Sequence, residues 1–222
     1  MNELAAAARL LHIVAGALSL LAGAVALRAR KGGRPHRRAG QLFFAAMIAI
    51  AGTAVLLALV RPNHFLLFLG LFSLYLALTG RVALLRKGLP PRTPAPALHL
   101  LPPALFGLIA LGFAALAFTG GALVFQIFVA LALVLVVSQL RALRRGGEYR
   151  VHWLLDHMTG FSTAYIASLT AFLVVNAPRL LPPEPLLGLL VWLGPTLVGV
   201  PLLRRAGARL TAPERARQAP PA

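Results

Sequence analysis

The amino-acid sequence predicts an all-α membrane protein: a seven-transmembrane-helix bundle with its N-terminus outside and its C-terminus in the cytoplasm. Three observations carry that expectation. The 222 residues are 59% hydrophobic and only 12% charged, with a mean hydropathy of +0.82, whereas soluble domains carry roughly twice that charged fraction. Seven apolar runs approach the length of about 20 residues that a helix needs to cross about 30 Å of hydrocarbon. The basic residues collect on alternate loops between those runs.

The first run, Leu10 to Leu27, is rich in Ala, Leu and Gly and ends at a dense basic cluster. A cleaved signal peptide carries its positive residues before the apolar stretch rather than after it, so this run reads as a retained helix. The second and third run from Gln41 to Val60 and from Phe65 to Leu85. The fourth and fifth, Pro103 to Thr119 and Gly121 to Leu140, have no charge between them, but as one helix they would approach twice the bilayer thickness. Thr119-Gly120-Gly121 therefore reads as a tight hairpin. The sixth, Trp153 to Ala177, is the most polar. The seventh, Pro185 to Leu203, contains Gly194-Pro195 and Pro201, which remove backbone hydrogen bonds and predict a kink. Residues 1–203 thus form one transmembrane domain. The basic tail 204–222, ending Gln218-Ala219-Pro220-Pro221-Ala222, is expected to be disordered.

Orientation follows from the short loops, because Lys and Arg are retained on the cytoplasmic side. Nineteen of the 22 basic residues fall on one side: the cluster Arg28 to Arg38, the group Arg81 to Arg92, the group Arg141 to Arg150 and the tail. The other side holds only Arg9, Arg61 and Arg179. The alternation runs through all seven spans without a violation and puts the protein in a bacterial inner membrane.

Composition also excludes. No cysteine is present, so disulfides, thiolate metal sites and a cysteine nucleophile are ruled out. The net charge of +17 does not indicate nucleic acid, because the basic residues punctuate apolar runs instead of covering a soluble face; their expected partners are the lipid bilayer and anionic head groups on the cytoplasmic side. No lysine lies within a span, which excludes a retinal Schiff base.

Polar residues inside a span are costly in lipid and are the first candidates for function. Asp156, the one acid within the seven runs, sits in the first turns of helix six, where an ion pair with a cytoplasmic arginine such as Arg81 would hold that helix in place. Asp156, Thr159, Thr163 and Thr170 share one small, polar face, and with Tyr75, Thr79 and Gln126 they outline a candidate central pocket. Interhelical hydrogen bonding alone explains the same face. The histidines divide by depth. His12, followed by Gly16, pairs with His64 near the outer surface, and His36, followed by Gly40, pairs with His157 near the inner one. A glycine beside a histidine makes room for a porphyrin, so these are candidate haem b ligands; close helix packing along the stripes His12, Gly16, Ser19, Gly23 and Gly70, Ser73, Ala77, Gly80 accounts for the same glycines. His152, Asp156 and His157 lie within two helical turns and form a candidate zinc set, as in membrane hydrolases.

One stretch also resembles a known group. His12-Ile13-Val14-Ala15-Gly16, then Lys31-Gly32-Gly33-Arg34-Pro35-His36-Arg37-Arg38-Ala39-Gly40, then Phe72-Ser73-Leu74-Tyr75 with Thr79-Gly80-Arg81 make about the first 85 residues similar to a family of bacterial multi-pass membrane proteins of unassigned activity. The resemblance implies a topology and no catalytic role, and it marks His12, His36 and Arg81 as motif residues. Taken together, these features lead to an integral membrane protein that is a small-molecule carrier or a membrane accessory protein rather than an enzyme. A haem-binding redox protein and a metal-dependent membrane hydrolase are the alternatives.

Overall fold

The computed structural model describes residues 2–60, 62–120, 122–182 and 184–218. Arg61, Gly121, Pro183 and residues 219–222, which the sequence reading assigned to loops and to the tail, lie outside the described residues. The secondary structure is helical: α1 (Asn2–Arg28), α2 (Arg34–Val60), α3 (His64–Ala83), α4 (Leu101–Gly120), α5 (Leu123–Arg145), α6 (His152–Asn176) and α7 (Pro185–Gln218), with single 3-10 turns at Leu84–Arg86, Ala97–Leu100 and Ala177–Arg179. All seven α-helices are long and apolar enough to cross a membrane. Leu10, Leu21, Leu111 and Val134 are 60–67% exposed. Such faces are unfavourable in water and favoured against lipid, and the chain is a multi-pass membrane protein.

The helices group into two compact units. The first comprises residues up to Ala77 together with Ala164–Pro195. Its framework is the hairpin of α1 and α2. Ala8, Ala15, Ser19 and Ala22 line the buried side of α1, against Phe43, Ala46, Met47 and Ala51 of α2; small residues at this spacing let two backbones approach closely. The turn between the helices is built residue by residue. The Lys31 ammonium donates to the carbonyls of Ala26 (3.0 Å) and Leu27 (2.5 Å), satisfying the C-terminal end of α1, and burial pushes this amine below the ordinary lysine range. Gly32 has φ +76°, a conformation that glycine adopts without steric cost. Pro35 follows in the first turn of α2, where its missing N–H has no intrahelical partner to lose. His36 Nδ1 then lies 2.9 Å from the Ala26 carbonyl oxygen. Deeper in the unit, the Ser168 hydroxyl donates to Met47 Sδ at 3.3 Å, and Gly23 leaves the space that the Tyr165 ring occupies.

The second unit comprises Leu78–Thr163 and the residues from Thr196 onward. Its α4–α5 hairpin packs Phe106 and Ala110 with Val129, Ala132 and Val136. The proline-rich segment 87–96 is docked. The Arg92 N–H donates to Gly147 O (2.6 Å) and the Ala95 N–H to Leu143 O (2.8 Å). A Cβ at Gly146 (φ +74°) would come within 2.5 Å of Thr93 O and 2.6 Å of the Arg92 carbonyl carbon, so this crossing of two backbones requires glycine.

The tail corrects the sequence reading. Instead of disorder from Arg204, α7 continues unbroken past Pro195 and Pro201 to Gln218. Ala, Leu and Arg are good helix formers, and this extension has partners: Glu214 Oε2 accepts from the Arg150 N–H (2.7 Å), Arg215 Nε donates to the Tyr149 hydroxyl (3.2 Å), and Thr211 is buried. Composition announced a charged tail but not the loop it docks on.

Candidate functional site

The polar centre of the second unit starts from a helical stripe. Thr79, Ala83 and Arg86 are spaced four and three residues apart, so they follow one face of α3 and its terminal 3-10 turn. Opposite, α6 begins at His152 and presents Asp156 one turn in. Arg86 Nη2 donates to Asp156 Oδ2 at 2.5 Å. The pair is asymmetric: Arg86 is only 4% exposed, whereas the Asp156 side chain is 43% exposed. The guanidinium is inside the protein and the carboxylate reaches it from the edge. Arg81, named from the sequence as a partner for Asp156, is exposed instead. It lies five positions before Arg86, which carries it round the helix away from the Thr79 stripe.

A second buried polar residue enters from the segment before α4. Pro96 leads into the 3-10 turn Ala97–Leu100, which swings His99 inward to 7% exposure. Neither ring nitrogen of His99 makes a well-formed hydrogen bond, the Pro96 carbonyl being the acceptor beside the ring, and Arg86 Nε has no partner. Between them lies a cavity of about 10 Å³, lined by Thr79, Arg86, His99, Gln139 and the apolar residues Val82, Ala83, Pro102, Pro103 and Leu143. That is space for about one water-sized particle. An unpartnered buried donor costs about 1–3 kcal/mol, so these nitrogens are costly to leave bare.

Of the residues outlined as a central pocket, Thr79 alone lines this cavity. Thr163 Oγ1 donates to Thr159 O (2.7 Å) and Gly160 O (3.1 Å), and Thr170 Oγ1 donates to Ile166 O (2.9 Å). These hydroxyls give their protons to their own helix, which explains a polar face that needs no solute. Tyr75 is buried with its ring beside Phe72 (6.4 Å between centroids). Gln126 is half-buried in the second turn of α5. Tyr75 and Thr170 belong to the first unit; Asp156, Thr159, Thr163, Thr79 and Gln126 belong to the second.

Three of the four histidines proposed for haem are engaged in packing. His12 Nδ1 is 2.8 Å from Thr53 Oγ1. That hydroxyl donates to Ala49 O (2.7 Å), so it accepts from the imidazole and ties α1 to α2. His64 is exposed as the first residue of α3. His36, in the first unit, bonds the Ala26 carbonyl as described; His157, in the second, lies with Nδ1 3.0 Å from Gly80 O. The zinc set is corrected. His152 Nδ1 faces Tyr149 O (2.9 Å), Asp156 faces Arg86 and His157 faces Gly80. Each is drawn to a different neighbour, and among the described residues no group of three His, Asp or Glu is placed to hold a metal ion.

Sequence reasoning missed Arg86, His99 and Gln139. In the sequence Arg86 reads as one more loop charge, although its seven-residue spacing from Thr79 places both on one helical face. No local pattern marks His99, whose burial depends on the docked proline-rich segment. Comparison of this chain with protein-family models, with curated proteins and with solved structures gives no match.

Proposed function

We propose that this chain is a small-molecule carrier of a bacterial inner membrane, with its N-terminus outside and its C-terminus in the cytoplasm, and that its solute is a monatomic ion stripped of its water shell. The observation that supports this most is the buried Arg86 guanidinium, at the end of a membrane span, with a hydrogen-bonding nitrogen still open beside a cavity. Ionisable groups at membrane depth cost several kcal/mol and concentrate on solute and ion pathways. The likeness of about the first 85 residues to bacterial multi-pass proteins, and the nineteen of 22 basic residues on one set of loops, support the membrane and the orientation. The exposed Arg204, Arg205 and Arg209 on α7 are placed by the same orientation among anionic head groups, worth about 1 kcal/mol for each basic residue.

The absence of cysteine makes orientation directly testable with single-cysteine variants. A membrane-impermeant maleimide is expected to label Glu184→Cys in intact spheroplasts and Glu148→Cys only after permeabilisation; the opposite pattern inverts the topology. For transport, proteoliposomes containing the protein are expected to move at least one of chloride, proton, sodium or potassium faster than protein-free liposomes. The double variant Arg86→Met, Asp156→Leu should lose that flux. Equal flux in protein-containing and empty liposomes for all four ions removes the carrier reading.

A further inference from the structure

We propose that the cavity between Arg86 and His99 binds one monatomic anion of the halide class, held by the Arg86 Nε–H and a ring N–H of His99. This names the solute class of the carrier and rests on that reading for its role in transport. The binding site itself stands on the geometry.

The lining supplies donors. An arginine Nε–H can only donate, and an imidazole carries at least one N–H in either tautomer. Both residues are more than nine-tenths buried; the Arg86 Nε–H has no partner within the protein, and neither His99 ring nitrogen makes a well-formed hydrogen bond, the Pro96 carbonyl being the acceptor beside the ring. Thr79 and Gln139 add a hydroxyl and an amide to the same wall, and no carboxylate lines it. Asp156 engages Nη2 of the guanidinium, and the neighbouring Nε–H still has no acceptor. The field has the matching sign. Pro102 and Pro103 line the cavity within the first turn of the 20-residue helix α4, the positive end of its dipole. These prolines have no N–H of their own, so the direct hydrogen bonds fall to the side chains. Val82 and Leu143 complete a low-dielectric wall that strengthens each charge-assisted bond.

Size and charge select the ligand. A cavity of about 10 Å³ excludes sulfate, phosphate and carboxylates, and the arginine excludes cations. A water fits this space outright, and a chloride, slightly larger than water, fits once the side-chain lining gives a little. The halide is favoured by the charged donor and the helix end, which act more strongly on an anion than on a neutral oxygen.

The test uses the full chain purified in detergent without halide, titrated with chloride and followed by chlorine NMR line width, with gluconate keeping ionic strength constant. Saturable broadening that bromide displaces and sulfate does not is expected. His99→Phe, which removes the donor and fills the space, should weaken it by about tenfold or more. If that variant does not fold, Gln139→Leu is read the same way. Broadening no greater than in protein-free detergent, or equal affinity in the folded variant, overturns the proposal and leaves the cavity to water. Halide binding without flux of any of the four ions in proteoliposomes overturns the carrier reading alone, whereas flux of another ion without halide binding overturns the site alone.

Discussion

Asp156→Asn is expected to destabilise the protein by about 3 kcal/mol, the lower end of what removing one partner of a buried ion pair costs. For a chain of this length that is a fall of roughly 6–12 °C in Tm, measured by thermal unfolding in detergent. The reason is the asymmetry of the pair. With the carboxylate gone, the guanidinium of Arg86, 4% exposed, is left charged with no counter-ion, and arginine does not deprotonate. Arg86→Met reverses the situation. The orphan is then a carboxylate whose side chain is 43% exposed and which water reaches, so a smaller loss is expected than in Asp156→Asn. The double variant Arg86→Met, Asp156→Leu leaves no orphan and is expected to return to within about 1 kcal/mol of the parent, since apolar replacements of a buried pair are often neutral or better. Equal losses in the two single variants would show that the geometry does not divide the burial as described.

The architecture was legible because the bilayer imposes a length and a polarity on each span, and both are written in the composition. The Lys31 to Gly40 stretch shows how far local reading goes. Its lysine, its glycine at φ +76° and its proline all serve the α1–α2 turn, and each of those roles follows from short-range chemistry. The candidate site was less legible because its parts come from distant segments. Asp156 was identified as an ion-pair partner from the sequence, yet the choice of Arg86 over Arg81 depends on where the α3 helical face turns. His99 depends on a loop held by bonds to Leu143 and Gly147, which no periodicity reports. The helix-six hydroxyls misled for a related reason. A threonine in a helix can satisfy itself on the carbonyl three or four residues back, and Thr163 and Thr170 do so; the sequence does not distinguish that from a pocket. The tail was misread because its charge was visible and its partners, Tyr149 and Arg150, were not.

Gly80→Ala is expected to lower stability and Gly16→Ala is not, although both glycines sit in small-residue stripes of the same kind. A Cβ at Gly80 would lie 2.6 Å from Phe161 Cδ2, 2.8 Å from Phe161 N and 3.1 Å from His157 O. The ring could swing away, but the two backbone atoms belong to α6 and move only if the helix does. The hydrogen bond between His157 Nδ1 and Gly80 O, 3.0 Å long, crosses the same contact and would open with it. Overpacking costs about 1–3 kcal/mol and a lost hydrogen bond about 1 kcal/mol, so Gly80→Ala should lower Tm. Around Gly16 nothing lies within 4 Å of an added Cβ. The substitution there meets no wall and gains the helix propensity of alanine over glycine, about 0.8–1 kcal/mol, so Tm should hold or rise. Thermal unfolding of the two variants beside the parent measures the difference. If Gly80→Ala were as stable as Gly16→Ala, the close approach of α3 and α6 that carries Arg86 to Asp156 would not be the tight contact described, and the ion pair would have to be held from the loop side alone.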